Sequence, residues 1–186
     1  MRPVREEAGY SLIEMVVVLA ILGIVLGGLT TVFVSGTHAD MDMNRRFQAQ
    51  QNARLSMTRL RADLHLGGCV GTGTNLTSLT IYSTSAAPGS CSGTATVTWC
   101  TAASTSLTGR WTLYRQSGAS CASNTGTPIA DYLATNGIFT TNAPTTGSGR
   151  RTSVTVTIPV STNTTNANLD RYTLTDSIVL RNSPQA

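Results

Sequence analysis

The sequence contains no lysine; all 13 of its basic residues are arginine. That absence removes the phosphate-binding Gly-x-x-x-x-Gly-Lys-Ser/Thr loop, and with it the ATPases and GTPases built on it. Histidine is nearly as scarce. His38 and His65 are isolated from each other, and no Gly-x-Ser-x-Gly elbow accompanies them, so a nucleophilic triad lacks its base and both read as surface or packing residues. Charged residues make up 12% of the 186, and a net charge of +4 is mild for a nucleic-acid binder. Solubility and membrane orientation account for it. Most acids fall before residue 64, and the later ones, Asp131, Asp170 and Asp176, are scattered rather than spaced as a calcium loop. There is no Cys-x-x-Cys pair or His-bearing cluster to hold zinc, no cofactor motif, and no repeat of fixed period that would make a solenoid.

What is present divides the chain into two physical regimes. From Tyr10 to Val34 the sequence is almost continuously apolar, with Glu14 its only charge. About 20 helical residues cross the roughly 30 Å hydrocarbon core, so this segment can span a membrane. Arg2 and Arg5 precede it and favour a cytoplasmic N-terminus, although Glu6 and Glu7 cancel their net charge. The expected topology is a single pass of the cytoplasmic membrane with the rest of the chain outside the cytoplasm. No convincing small-residue cleavage site follows the apolar core, so the helix is expected to be retained. Glu14 is the anomaly: a carboxylate in that environment costs up to about 2.5–3.5 kcal/mol at a helix centre, less near the interface, and calls for a partner. Gly23-Ile24-Val25-Leu26-Gly27, followed by Gly28, has small-xxx-small spacing. Close helix packing through Gly23 and Gly27, filament packing and local helix flexibility are all compatible with it.

After a polar break at Ser35-Gly36-Thr37, helical spacing returns from about Ala39 to Leu66, with Met43, Phe47, Gln50, Ala53, Met57, Leu60 and Leu64 along one stripe. Arg45, Arg46, Arg54, Arg59, Arg61 and Asp63 lie off that stripe, and Gly67-Gly68 supplies a helix stop. The Arg-rich face suits solvent or a neighbouring subunit better than DNA, because it lacks interleaved aromatics for base stacking. The two helical stretches read as one long helix, bent near Gly36.

Beyond Cys69 the pattern changes to Thr- and Val-rich runs of period two: Leu76 to Ser83, Thr94 to Thr101, Arg110 to Gln116, Thr152 to Pro159 and Tyr172 to Arg181. Ser117 to Thr127 and Thr140 to Gly149 read as loops. The predicted fold is α+β, a long N-terminal transmembrane and amphipathic helix packed on an antiparallel β-sheet domain, with Trp99, Trp111, Tyr114, Ile158, Leu174, Ile178 and Leu180 in or near the core. All four cysteines, Cys69, Cys91, Cys100 and Cys121, fall in the exported part, which predicts two disulfides. Four cysteines allow three connectivities. A hairpin of Thr94 to Thr101 with Arg110 to Gln116 places Cys91 and Cys121 at its open end, leaving Cys69 with Cys100.

Gly9-Tyr10-Ser11-Leu12-Ile13-Glu14 resembles the type IV prepilin cleavage motif, usually Gly-Phe-Thr-Leu-Ile-Glu. The resemblance implies that a prepilin peptidase in the membrane cuts between Gly9 and Tyr10 and methylates the new N-terminus at Tyr10. It also implies that Glu14 pairs with the N-terminal ammonium of a neighbouring subunit during filament assembly. The expected segments are a leader over 1–9, a transmembrane and filament-core helix over 10–35, its amphipathic continuation over 36–68, and an extracytoplasmic β-rich domain over 69–186. Major pilins usually carry a proline about twenty residues into the mature helix, whereas this chain has none between Pro3 and Pro88.

The stretch from Gln50 to Cys69 resembles the characteristic helix of PilW/PulJ-type minor pilins and minor pseudopilins, and Ser177 to Asn182 resembles their usual ending. The implied function is a non-enzymatic minor pilin that helps initiate, cap or prime a type IV pilus-like filament. Alternatives are a minor pseudopilin of a type II secretion system and a DNA-uptake or adhesive tip pilin; an exported hydrolase on a signal anchor lacks an active-site group. The implied partners are the prepilin peptidase, other major and minor pilins, the inner-membrane assembly platform, membrane lipid before assembly, and DNA or a surface ligand at a tip. The implied destination is the pilus or pseudopilus.

Overall fold

A computed structural model describes residues 9, 11–73, 76–87, 90–121, 126–145, 147–163 and 165–185. The chain divides into two compact units, Met1–Asn44 and Arg45–Ala186, and the packing of helix on sheet belongs to the second.

A single helix, α1, runs from Leu12 to Leu66. No proline interrupts it, and Ser35-Gly36-Thr37 lies inside it, so the polar break read from the sequence is not a break in the helix. In the second unit its buried positions are Ala49, Ala53, Ser56, Met57, Leu60 and Leu64, the spacing of one helical face. Met43 and Phe47, expected on that face, are exposed, and Gln50 is half-buried.

Gly67 and Gly68 follow the helix because the sheet passes too close for a side chain, the Ile81 side chain at Gly67 and strand backbone at Gly68. A Cβ on Gly68 would lie 2.9 Å from the Ser83 carbonyl oxygen and 3.0 Å from the Thr84 Cα. Asn182 closes the same helix end from the other terminus of the domain. Its Nδ2 donates to the carbonyls of His65 and Leu66 at 3.2 and 3.3 Å, two of the acceptors that a helix C-terminus leaves unsatisfied.

Among the described residues, eight strands form one antiparallel sheet: β1 (Cys69–Thr72), β2 (Ser78–Ala87), β3 (Ser90–Ala103), β4 (Trp111–Ser117), β5 (Thr127–Leu133), β6 (Phe139–Asn142), β7 (Ser153–Ser161) and β8 (Arg171–Val179). The order is β1-β2-β3-β4-β5-β7-β6, with β8 pairing β7. The α+β architecture is as expected. Three strands, β1, β5 and β6, were not read from the sequence, and β6 occupies the start of the expected loop at Thr140 to Gly149.

The core joins Ala53, Met57, Leu60 and Leu64 of the helix to Leu79, Ile81, Trp99, Leu113, Leu133, Phe139 and the alternating Val154, Val156, Ile158 and Val160 of β7. Ile178 and Leu180 complete it, while Trp111 and Leu174 pack at its margin. Tyr114 is buried elsewhere, in a small cluster with Cys100 and Ala102. Neighbouring residues of a strand point to opposite faces, so Cys100 lies on the face away from Trp99.

All four cysteines form disulfides, Cys69 with Cys91 and Cys100 with Cys121. The expected pairing, Cys69 with Cys100 and Cys91 with Cys121, is corrected by strand register. Cys69 sits beside Tyr82 of β2, whereas Cys100 sits beside Ser78, on the far side of that strand. Four residues of offset and two strand spacings separate them by roughly 13 Å along the strands and about 10 Å across, beyond the ~7 Å Cα reach of a disulfide. Cys91 lies instead on the outer half of the β2–β3 hairpin, where register shifts interrupt the ladder, with its Cα 5.3 Å from that of Cys69. After β4 the chain turns at Gly118, which has φ +88, and brings Cys121 to 6.2 Å from Cys100.

Candidate functional site: the N-terminal helix and its anchorage

Ser11 stands immediately before the helix, and its carbonyl accepts the N–H groups of Glu14 at 3.0 Å and Met15 at 3.2 Å. It therefore occupies the N-cap position, with Glu14 three residues later in the first turn. Serine followed at that interval by glutamate is the capping-box pattern, a second reason for a carboxylate at residue 14 that the motif comparison alone did not bring out. A negative charge there also interacts favourably with the helix dipole, by about 0.3–1 kcal/mol. Gly9 is exposed. Tyr10 and residues 1–8 lie outside the described residues.

From Leu12 to Val34 every residue is exposed, Leu12 at 82%. The helix is long and apolar enough to cross a membrane, and none of its most apolar window is buried within the chain. Three of its threonine hydroxyls are satisfied within the helix. Thr30 Oγ1 donates to the Leu26 carbonyl, Thr31 Oγ1 to Gly28 and Thr37 Oγ1 to Val34, at 2.7, 2.7 and 2.8 Å. No water is needed to complete those hydroxyls, as a hydrocarbon surrounding requires. At Gly23, Gly27 and Gly28 a Cβ would meet nothing within 4 Å, so the small-residue face is open.

At the other end, charges expected on an exposed helix face fasten the helix to the sheet. Asp63 is the centre. Its Oδ2 accepts from Trp99 Nε1 at 2.9 Å and from Arg115 Nε at 2.8 Å, and its Oδ1 accepts from Arg115 Nη2 at 3.1 Å. The bond to Asp63 raises the Arg115 pKa above its ordinary value, against the smaller lowering effect of burial. Arg46 forms a two-pronged pair with Asp170 at 2.9 and 3.0 Å, and Arg61 pairs with Asp176 at 2.5 Å. Asp131 accepts from Thr112 Oγ1 at 2.9 Å. Each of the three late acids thus has a protein partner. Arg45, Arg54 and Arg59 remain exposed. The roles of Asp63, Arg115 and Asn182 escaped the sequence reading; the one signal was a lone acid among arginines on a face otherwise read as solvent-facing.

An open, membrane-length helix that begins at a capped serine and continues into a disulfide-linked β domain fits a class, the membrane-anchored subunit. The particular anchor is given by sequence comparison: the family model for the prokaryotic N-terminal methylation motif matches residues 4–30. That motif is a type IV pilin-like signal, which implies processing by a prepilin peptidase and assembly with other pilins. No curated protein and no solved structure matches the chain.

Proposed function

We propose that the chain is a PilW/PulJ-type minor pilin, made as a prepilin, that helps initiate, cap or prime a type IV pilus-like filament and has no catalytic role. The observation that carries this reading is the methylation motif over 4–30, which ends within the exposed apolar helix and includes Glu14 in its first turn. Cleavage after Gly9 by the prepilin peptidase leaves Tyr10 as a methylated N-terminal ammonium, since methylation of an amine keeps its charge. An ammonium at a helix N-terminus opposes the dipole, and in lipid it is costly unless paired. Glu14 of a neighbouring subunit supplies the pair, so that two groups each unfavourable alone neutralise each other only in correct register. The subunit waits in the cytoplasmic membrane with its β domain outside, and the inner-membrane assembly platform passes it into the filament.

The test is Glu14→Ala. Removing a carboxylate makes the helix more apolar and leaves the residues beside the cut unchanged, so insertion and processing are expected to proceed. Recovery of the mutant in sheared type IV pili is expected to fall at least tenfold relative to wild type. Normal incorporation would contradict the role given to Glu14, and recovery solely with a secretion pseudopilus would assign the subunit to that machine instead.

A further inference from the structure

The β domain holds a buried positive charge for which no acid is supplied among the described residues. Arg110, at the end of the β3–β4 connection, is 5% exposed. Its Nε donates to the Ser161 carbonyl at 3.2 Å, its Nη1 to the Gly109 carbonyl at 3.0 Å and its Nη2 to the Asn163 carbonyl. All three acceptors are neutral. A guanidinium has five N–H donors, so one on each terminal nitrogen is left over among the described residues. A charge this deeply buried normally has an ionic partner, as Asp63 serves Arg115 on the helix.

Beside Arg110 lies a pocket of about 260 Å³ lined by Ser106, Leu107, Thr108, Arg110, Tyr132 and Thr162. Thr162 is 7% exposed, and its Oγ1 has no hydrogen-bond partner among the described residues. That oxygen is closed off from solvent and offers the pocket no hydrogen-bonding group. Tyr132 holds φ +63, a left-handed conformation uncommon for a residue with a side chain. It lies where the β4–β5 register shifts between Trp111 and Leu113, and such bulges re-aim side chains beside functional sites. A guanidinium with two N–H groups to spare, an aromatic on a bulge and the exposed Ser106 and Thr108 therefore border one small space.

We propose that this pocket binds a small carboxylate that also carries hydroxyl groups, of the size of one acidic monosaccharide. The carboxylate is taken by the two free N–H groups of Arg110, whose planar fork matches two oxygens. Ser106 and Thr108 answer the ligand hydroxyls, and the Tyr132 ring and Leu107 cover an apolar face. The volume is below that of a drug-sized site, which limits the occupant to about one sugar ring. The proposal concerns the β domain alone and stands whether or not the chain enters a filament.

The test is calorimetric titration of the full-length protein, in a non-ionic detergent, with glucuronate, glucose, acetate and inorganic phosphate. Glucuronate is expected to saturate one site, at least tenfold more tightly than glucose, acetate or phosphate. Thr108→Val removes an exposed hydroxyl at the pocket rim, so it is expected to leave the melting temperature unchanged while weakening glucuronate at least fivefold. Arg110→Gln is expected to abolish binding; because Arg110 also ties two loops together, the Thr108 variant supplies the evidence if the Arg110 variant fails to fold. No saturable glucuronate binding, equal binding of glucose, or unchanged affinity in Thr108→Val would each overturn the proposal.

Discussion

Asp63 bears more than its place in the sequence suggests. One carboxylate accepts from an indole that is completely buried and from both prongs of an arginine. Asp63→Ala would leave the Trp99 N–H unpaired beside the core and Arg115 without its counter-charge. Loss of a fully buried ion-pair partner costs about 3–5 kcal/mol, but Arg115 is 36% exposed, so solvent screens part of that and about 2 kcal/mol is expected. Arg46→Ala breaks a pair exposed at 41% and 36%, for which about 0–1 kcal/mol is expected. Urea denaturation of the two variants compares them directly, and equal losses would contradict the central role of Asp63. The sign of the Arg115 shift gives the pH behaviour: a raised folded-state pKa means the contribution is complete below the unfolded value and is lost only as pH rises through the folded one. Both values lie far above neutrality, so no loss from this group is expected across the physiological range. None of this was legible in the residues, because a charge among arginines on a helix reads as solvated until the facing strand is known.

At the scale of elements, the long helix and five of the eight strands follow from hydrophobic periodicity. β7 is the clearest, since Val154, Val156 and Ile158 alternate with Ser153, Thr155 and Thr157 and are buried as that alternation requires, the strand being buried on both sides from Ile158 on. The three strands missed have local reasons. β1 is four residues with Gly71 among them, β5 has Pro128 next to its start, and β6 follows its one buried aromatic, Phe139, with Thr-Thr-Asn. The helical stripe was legible in period but not in extent, because burial begins at Ala49 and the sequence continues apolar before it. Disulfide pairing was the least legible feature, because it depends on register across β2, which composition does not determine. Non-reducing peptide mapping is expected to recover Cys69 with Cys91 and Cys100 with Cys121, and no free thiol. Each bridge closes a loop of 22 or 21 residues and is expected to contribute about 3 kcal/mol, so reduction should lower the melting temperature measurably. A Cys69–Cys100 product would contradict the strand register described above.

At the scale of the whole molecule, the two units have opposite solvent requirements. The apolar exposure over Leu12 to Val34 exceeds what a water-soluble chain leaves uncovered, whereas the second unit buries its own core under a polar, disulfide-linked sheet. Membrane before assembly and neighbouring helices after it are the two surroundings that suit the first unit, and the methylation motif over 4–30 is a type IV pilin-like signal that leads to both. The N-terminal methylation motif was legible because its parts are local in sequence: a polar stretch before Gly9, an aromatic at Tyr10, and Glu14 in the first turn. The Arg110 pocket was not, since Arg110 and Thr162 come from two separate connections of the sheet and Tyr132 from β5. The most direct measurement of the central claim is the intact mass of the protein recovered from sheared filaments. A chain beginning at Tyr10 and carrying one methyl group is the expected result; a mature protein that retains Met1 to Gly9, or one cut after Val34, would contradict it.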